Sequence, residues 1–367
     1  MKVALVYDRV NKWGGAERVL LALHDIWPDA PLYTAVYDAD KAPWARVFDV
    51  RTTFAQHIPF AKSRHEFLPV VTPMAFEALR FDNYDVVISI TSAEAKSIIT
   101  KPETLHICYC LTPTRYLWSG YETYQKNSGF GGYVLTQFAP TLRRWDRISA
   151  ARPDYYIAIS QRVADRVKRY YKRKVERVIY PPVETKIQNS NFKIQHEKNY
   201  FLTVSRLVSY KRIDVLIDAF NELGWPLVII GDGRDHDTLQ RRARSNTSFI
   251  TRHLTDEELT AYYRDCRAFV FAGDEDFGIA AVEAQASGKP VIAYKESGIA
   301  EIVKDGLTGL LFDKQTKEAV VSVLHAFEKK NFNPEVCRVN ALLFGKDRFA
   351  KEMKETVEDL YRQYFHT

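Results

Sequence analysis

Glu275 and Glu283 stand eight residues apart in EDFGIAAVE, one residue after the apolar run AFVFAG. That run reads as a strand, which puts Glu275 at its carboxyl end. The segment Phe277-Gly278-Ile279 then opens a helix that carries Glu283 one to two turns further on. Glycine at 278 lets backbone come close to a ligand, and the free N–H groups of a helix start favour an anion. Two carboxylates beside an anion site do not both suit phosphate. They suit hydroxyl groups, as on a sugar and a ribose. Spacing alone leaves open that both are solvated helix acids, because Glu is usually exposed. Ser205-Arg206-Leu207 ends another apolar run, and Lys211 follows five residues after Arg206. An always-charged guanidinium and a flexible ammonium at one strand end fit a diphosphate. Either cation alone reads as a surface charge.

The elements that must hold these residues follow from hydrophobic patterning. Met1–Tyr7 is a short apolar strand, followed by Gly14-Gly15 and a segment with Val19, Leu20, Leu23 and Ile26 at helical spacing. Strand, glycine turn and helix open a Rossmann-like unit. Further strands are expected at Tyr84–Ile90, Leu105–Cys110 and Tyr155–Ile159, with helices between them. Tyr180-Pro181-Pro182-Val183 then breaks regular structure and leads into the polar stretch ETKIQNSNFKIQHEKN. A second series begins at Tyr200–Ser205. It continues through helix Arg212–Leu223, strand Pro226–Ile230, strand Ala268–Phe271, helix Phe277–Ser287 and strand Pro290–Tyr294. The fold class is therefore α/β, with two Rossmann-like domains over residues 1–182 and 183–345 and a terminal helix over residues 346–367. Two such sheets are expected to face each other across a cleft. Neither half carries GxGxxG: the first has Gly14-Gly15 and the second Gly231-Asp232-Gly233. A plain NAD dehydrogenase is disfavoured.

At 367 residues, 46% hydrophobic and 27% charged, the chain is neither disordered nor fibrous, and its length suits two domains. No apolar run reaches the ~18–20 residues of a spanning helix, and KVALVYDRV meets charge too early for a secretory leader. The expected compartment is the cytoplasm. Cys108, Cys110, Cys266 and Cys337 lack the paired spacing of a metal knuckle and are expected to be buried thiols. The net charge of +6 is uneven. Residues 1–180 hold 26 Lys and Arg against 18 Asp and Glu, and Arg143–Arg177 alone holds 12 against 4. Interleaved with Trp145, Tyr155, Tyr156, Tyr170 and Tyr171, this segment suits an anionic membrane surface. A solvated basic face is the alternative. Nucleic acid is not expected, because no recognised binding motif accompanies the charge.

VSRLVSYKRIDVLIDAFNELGWPLVIIGDG, followed by EDFGIAAVEAQASGKPVIAY, resembles the donor-binding domain of retaining GT-B glycosyltransferases of family 4. The resemblance is nearest to mannosyltransferases that build O-antigens and related surface polysaccharides. It extends through GGAER and TPTRYLW in the first half to the terminal helix, which is expected to cross back to the first domain. The family's E-x7-E pair is intact as Glu275 and Glu283. The resemblance implies that Arg206 and Lys211 bind the donor diphosphate, Glu275 the donor sugar and Glu283 the ribose. Arg206, Lys211 and Glu275 are the implied catalytic residues. Phe277, Gly278 and Ile279 would touch sugar and phosphate through their backbone, and Gly14 and Gly15 would approach the same phosphate. Gly231 would also lie at the donor, and Arg252 to Leu254 near the base. Thr112, Arg115 and Tyr116 would meet the acceptor. The implied donor is GDP-mannose, the acceptor a glycan or lipid-linked glycan, and the protein peripheral on the inner face of the cell membrane.

Two positions depart from the family. Relatives commonly read HTPxRYxW, where this chain has Leu111, which neither titrates nor donates a hydrogen bond. His106 and His57 are the possible substitutes, with His106 expected to be a buried strand residue. A usual GG pair is Ser297-Gly298. No DxD-type pair calls for a metal and no cofactor is implied, so the cations and the helix dipole must stabilise the leaving diphosphate. The resemblance implies retention by front-face departure and attack. Leu111 keeps a second class alive, a non-catalytic sugar-nucleotide-binding partner in a polysaccharide-assembly complex. A sugar-nucleotide epimerase is disfavoured by the motif set.

Overall fold

The computed structural model describes residues 1–59, 71–127, 130–186, 192 and 199–366. Most of the polar stretch after Pro182 lies outside the described residues. The chain forms two compact units: Met1–Pro182 with Phe349–Thr367, and Val183–Arg348.

The N-terminal unit is built on a seven-stranded parallel sheet. Its strands are β1 (Val3–Tyr7), β2 (Leu32–Thr34), β3 (Val50–Thr52), β4 (Val86–Thr91), β5 (Leu105–Cys110), β6 (Tyr155–Ala158) and β7 (Arg177–Val178). They lie in the order β3-β2-β1-β4-β5-β6-β7. VALVY, VVISIT and LHICYC are buried at every position, because helices cover both faces of a parallel sheet. The helix Lys346–His366 buries Phe349, Met353 and Val357 along one stripe. In this unit Phe349 meets the Tyr109 ring, with centroids 6.0 Å apart, and Thr356 Oγ1 accepts from Arg177 at 2.8 Å.

The C-terminal unit has a six-stranded parallel sheet of β8 (Phe201–Val204), β9 (Leu227–Ile230), β10 (Thr247–Ile250), β11 (Ala268–Phe271), β12 (Val291–Tyr294) and β13 (Gly309–Phe312). Its order is β10-β9-β8-β11-β12-β13. Helices Ile213–Leu223 and Lys317–Glu328 cover one face, with Phe201, Phe220, Leu324 and Phe327 at the centre of the core.

Sequence patterning does not show β2, β3, β7, β10 and β13. The first three have two or three residues, too few for a period, and β10 is only half-buried along its length. All four cysteines are free and buried. In both sheets the chain order reverses beside the first strand, between β1 and β4 and between β8 and β11. Ligands of open α/β sheets sit outside the strands' carboxyl ends at such reversals.

Candidate functional site

The reversal in the C-terminal unit brings together residues 64 positions apart. Strand β8 ends at Val204 and runs into Ser205-Arg206, then a turn of 3-10 helix, Ser209–Lys211. Strand β11 ends at Phe271 and runs into Gly273–Gly278. The Lys211 ammonium, almost wholly buried, is salt-bridged to Glu275 Oε1 across this gap. Each partner lowers the other's cost of leaving water. Arg206 is exposed and donates to the Tyr210 hydroxyl at 2.7 Å, so it stands at the rim rather than in the floor.

The Glu275 loop is fixed by backbone bonds. Ser297 Oγ accepts from Glu275 N at 3.1 Å, and Gly298 N donates to the Glu275 carbonyl at 2.8 Å. The Ser297 hydroxyl thus supplies a bond to this loop that a glycine there could not make. Gly278 caps the helix Ile279–Ala286 with φ +111°, and a Cβ there would lie 2.3 Å from Ile299 Cγ1. Only glycine fits that turn. Glu283 is the fifth residue of this helix, and its Oε2 accepts from the Tyr263 hydroxyl at 3.0 Å.

The other sequence-derived candidates are placed less directly. Phe277 is buried, its ring against Phe344 with centroids 5.6 Å apart. Gly231, after β9, turns back onto β8, where a Cβ would lie 2.0 Å from the Ser205 carbonyl oxygen. Close backbone packing already requires that glycine. Arg252 is bound by Glu258 through contacts of 2.6 and 3.1 Å, and this arginine together with the Thr255 N–H lowers the Glu258 carboxyl to about 2. Leu254 is buried.

The N-terminal unit holds a second cluster at its own reversal. Asp8, just after β1, accepts from Thr91 Oγ1 at 2.7 Å, Ser92 N at 2.8 Å and Ala95 N at 2.8 Å. Arg9 donates to Glu94 Oε2 at 2.7 Å, and the Tyr116 hydroxyl donates to Glu94 Oε1 at 3.0 Å. Burial raises the Glu94 carboxyl despite the opposing charge of Arg9. Lys96 is 1% exposed and pairs with Asp146 Oδ1 at 2.7 Å. Thr114 Oγ1 and Trp118 Nε1 also donate to Asp146, at 2.8 and 2.6 Å.

Of the expected acceptor residues, Tyr116 therefore belongs to this cluster. Thr112 is buried and Arg115 half-buried on the same loop after β5. Leu111 is half-buried beside them, its N–H on the Thr91 carbonyl at 2.8 Å. His106 is fully buried on Ser89 Oγ at 2.8 Å, and burial, with Arg152 and Arg173, pushes it down to about 3. It is a neutral strand residue. His57 is exposed at the end of a 3-10 turn. Gly14 and Gly15 start the helix Gly15–Ile26, whose first turn holds the buried Glu17. Glu17 Oε1 accepts from the Tyr7 hydroxyl at 2.6 Å, so this helix start already has a carboxylate.

Sequence reasoning missed Asp8, Arg9, Glu94, Lys96, Asp146 and Tyr263. One signal was available: SAEAKS places opposite charges directly after the apolar run VVISIT, at a strand's carboxyl end. Among the described residues, no three His, Cys, Asp or Glu side chains are grouped as metal ligands.

Residues 184–342 match the family described as Glycosyl transferases group 1. The C-terminal unit carries that domain. The chain is 36% identical over 111 residues to a GDP-mannose-dependent alpha-mannosyltransferase of Corynebacterium glutamicum, covering 30% of this chain and 26% of that protein. It is 27% identical over 193 residues to the O-antigen chain mannosyltransferase C of Escherichia coli, covering 49% and 50%. The chain spans 63% and 48% of two further curated relatives, from Methanocaldococcus jannaschii and Klebsiella pneumoniae, and so less than two thirds of each. Among solved structures, the lipopolysaccharide outer core galactosyltransferase WaaB superposes with a TM-score of 0.69 at 18% identity, over 98% of this chain and 99% of that one. Anabaena Alr3699/HepE in complex with UDP-glucose gives 0.70 at 17%, over 98% and 100%. The fold is GT-B, with two parallel-sheet Rossmann-like domains.

The basic segment is also clarified. Tyr156 and Tyr171 are core residues, and Tyr170 stacks on Trp118 at 5.1 Å. Arg152 pairs with Glu77, Arg173 donates to the Pro153 and Asp154 carbonyls, and Arg166 is buried. Tyr156, Tyr171 and Arg166 are therefore held in the interior rather than at a surface. Arg144, Lys168, Arg169 and Lys172 are exposed, as are Tyr133, Phe138 and Ile148 on the helix Phe130–Ala150. Among the described residues, no helix is long and apolar enough to cross a membrane.

Proposed function

We propose that this protein is a retaining glycosyltransferase that moves mannose from GDP-mannose to a glycan or lipid-linked acceptor in surface-polysaccharide synthesis. The observation that carries the reading is the Lys211–Glu275 pair at the β8/β11 reversal, with Arg206 and Glu283 on the elements leaving the same two strands. Lys211, Arg206 and the N–H groups after Gly278 neutralise the departing diphosphate. Glu275 takes hydroxyls of the donor sugar, and Glu283 those of the ribose. In the reaction the bond from the sugar's anomeric carbon to phosphate breaks and a bond to the acceptor oxygen forms on the same face. The acceptor's proton passes to the leaving phosphate. The charge is supplied by side chains and helix, so no metal is required. Mannosyltransferases among the relatives support mannose as the sugar and GDP as the carrier.

Thermal-shift measurement against GDP-mannose, UDP-glucose and an ADP-sugar tests the donor. A donor at 100 times its Kd adds about 2.7 kcal/mol to stability. For units of this size that is a rise of roughly 5 °C or more in Tm. GDP-mannose is expected to give the largest shift, and transfer is expected to persist in excess EDTA. A shift with UDP-glucose and none with GDP-mannose overturns the donor. Activity lost in EDTA and restored by Mg²⁺ overturns the metal-free reading.

We also propose that the protein works in the cytoplasm, docked on the inner face of the cell membrane. Arg144, Lys168, Arg169 and Lys172 would meet anionic headgroups, and Tyr133 and Phe138 the interface. Vesicles with anionic lipid should float the protein at low salt, and shortening the screening length from ~10 Å to ~3 Å should release it. Equal flotation with neutral vesicles, or none with either, removes this docking.

A further inference from the structure

Tyr263 lies in the last turn of the helix Asp256–Asp265, which is locked at its start by the reciprocal Thr255–Glu258 capping box. That helix packs against the helix Ile279–Ala286, and this packing brings Tyr263 to Glu283. The Tyr263 ring is 2% exposed and tilted against Phe269, with centroids 6.3 Å apart. Only its hydroxyl reaches the site, donating to Glu283 Oε2 at 3.0 Å. Glu283 itself is half-buried. A carboxylate has about four acceptor positions, so a bond from a phenol to Oε2 orients the group without using all of them. A donor on a buried, packed ring has almost no rotamer freedom. Its bond therefore fixes the carboxylate before any ligand arrives.

We propose that Tyr263 is a positioning residue that aims the Glu283 carboxylate at the ribose hydroxyls of the donor nucleotide. The proposal rests on the ribose reading of Glu283. In the Tyr263→Phe variant the ring and its packing stay, and only the hydroxyl is lost. Glu283 then loses the bond that aims Oε2, and the ribose must do more of the ordering on binding.

Calorimetry with GDP and UDP, each beside its 2′,3′-dideoxy counterpart, tests this on the full chain. Wild type is expected to bind the ribonucleotide at least tenfold more tightly than the dideoxy form. Tyr263→Phe is expected to lose about fivefold for the ribonucleotide and almost nothing for the dideoxy form, so the preference falls to about twofold. The rate at saturating donor should stay within twofold of wild type, since the diphosphate contacts are untouched. Glu283→Gln should reduce the preference as well, and adding Tyr263→Phe to it should change nothing further. A preference unchanged in Tyr263→Phe, or equal weakening of both forms, overturns the role of Tyr263. A wild type that binds ribo and dideoxy forms equally overturns the ribose reading of Glu283 and the proposal with it.

Discussion

Lys211→Ala is expected to lower kcat/KM by ~10²–10³-fold while the protein remains folded. Removing one preorganised donor from a developing oxyanion costs about 2.7–4 kcal/mol. Lys211 has a second task, because its ammonium is the partner of Glu275 at the β8/β11 reversal. Without it the Glu275 carboxylate stands uncompensated beside the place where the diphosphate must gain charge, and like charges repel. Both effects act in the same direction. Lys211→Arg should recover only part of the loss, since a planar guanidinium does not fit a buried ammonium's site. The loop backbone should survive in either variant, because Glu275 is also tied through Ser297 Oγ and Gly298 N. Steady-state transfer kinetics with circular dichroism on the same samples measure this. A decrease of less than tenfold removes Lys211 from the reacting centre.

Lys96→Met is expected to destabilise the N-terminal unit by ~3–5 kcal/mol. Breaking a buried ion pair from one side costs that much because the remaining charge is left in low dielectric. Here the remaining charge is Asp146, 8% exposed, which would keep its bonds from Thr114 and Trp118 but lose the ammonium. Lys96→Met/Asp146→Asn should recover much of the loss, since no unpaired charge remains. Urea unfolding followed by Trp fluorescence gives the difference. Two units unfold in this chain, so the transition that moves must be the one reporting the N-terminal tryptophans.

The pH dependence has a definite sign. Burial lowers the Lys96 pKa, but the charge and hydrogen bond of Asp146, with Glu94 and Asp8, outweigh it and hold the folded-state value above the ordinary 10.5. The pair's contribution is therefore complete below that ordinary value and is lost as pH rises through the folded one. The gap between wild type and Lys96→Met should be constant from neutral pH to about 10. Above that it should narrow. A gap that widens with alkali overturns the account.

The placement of Arg206, Lys211, Glu275 and Glu283 at strand ends and on a helix start was legible in the sequence, because each lies within a few residues of the strand or helix that places it. An apolar run bounded by Gly-rich turns defines a strand end, and at a strand end the next residues face the ligand side. The α/β class came from the same local periodicity. The cluster of Arg9, Glu94 and Tyr116 was not legible, because Arg9 and Glu94 are 85 residues apart and meet only when β4 pairs beside β1. No spacing rule records which strands a right-handed crossover will make neighbours. Tyr263 reaches Glu283 in the same way, by the packing of two helices separated by strand β11. Composition also pointed too far in one place. Tyr156 and Tyr171 lie in a basic segment whose composition suggested a surface role, yet strand β6 and the helix Gln161–Tyr171 turn both rings into the core. Periodicity determines which residues form an element, but burial of a side chain depends on what packs over it, and that is decided only when the sheet and its helices assemble.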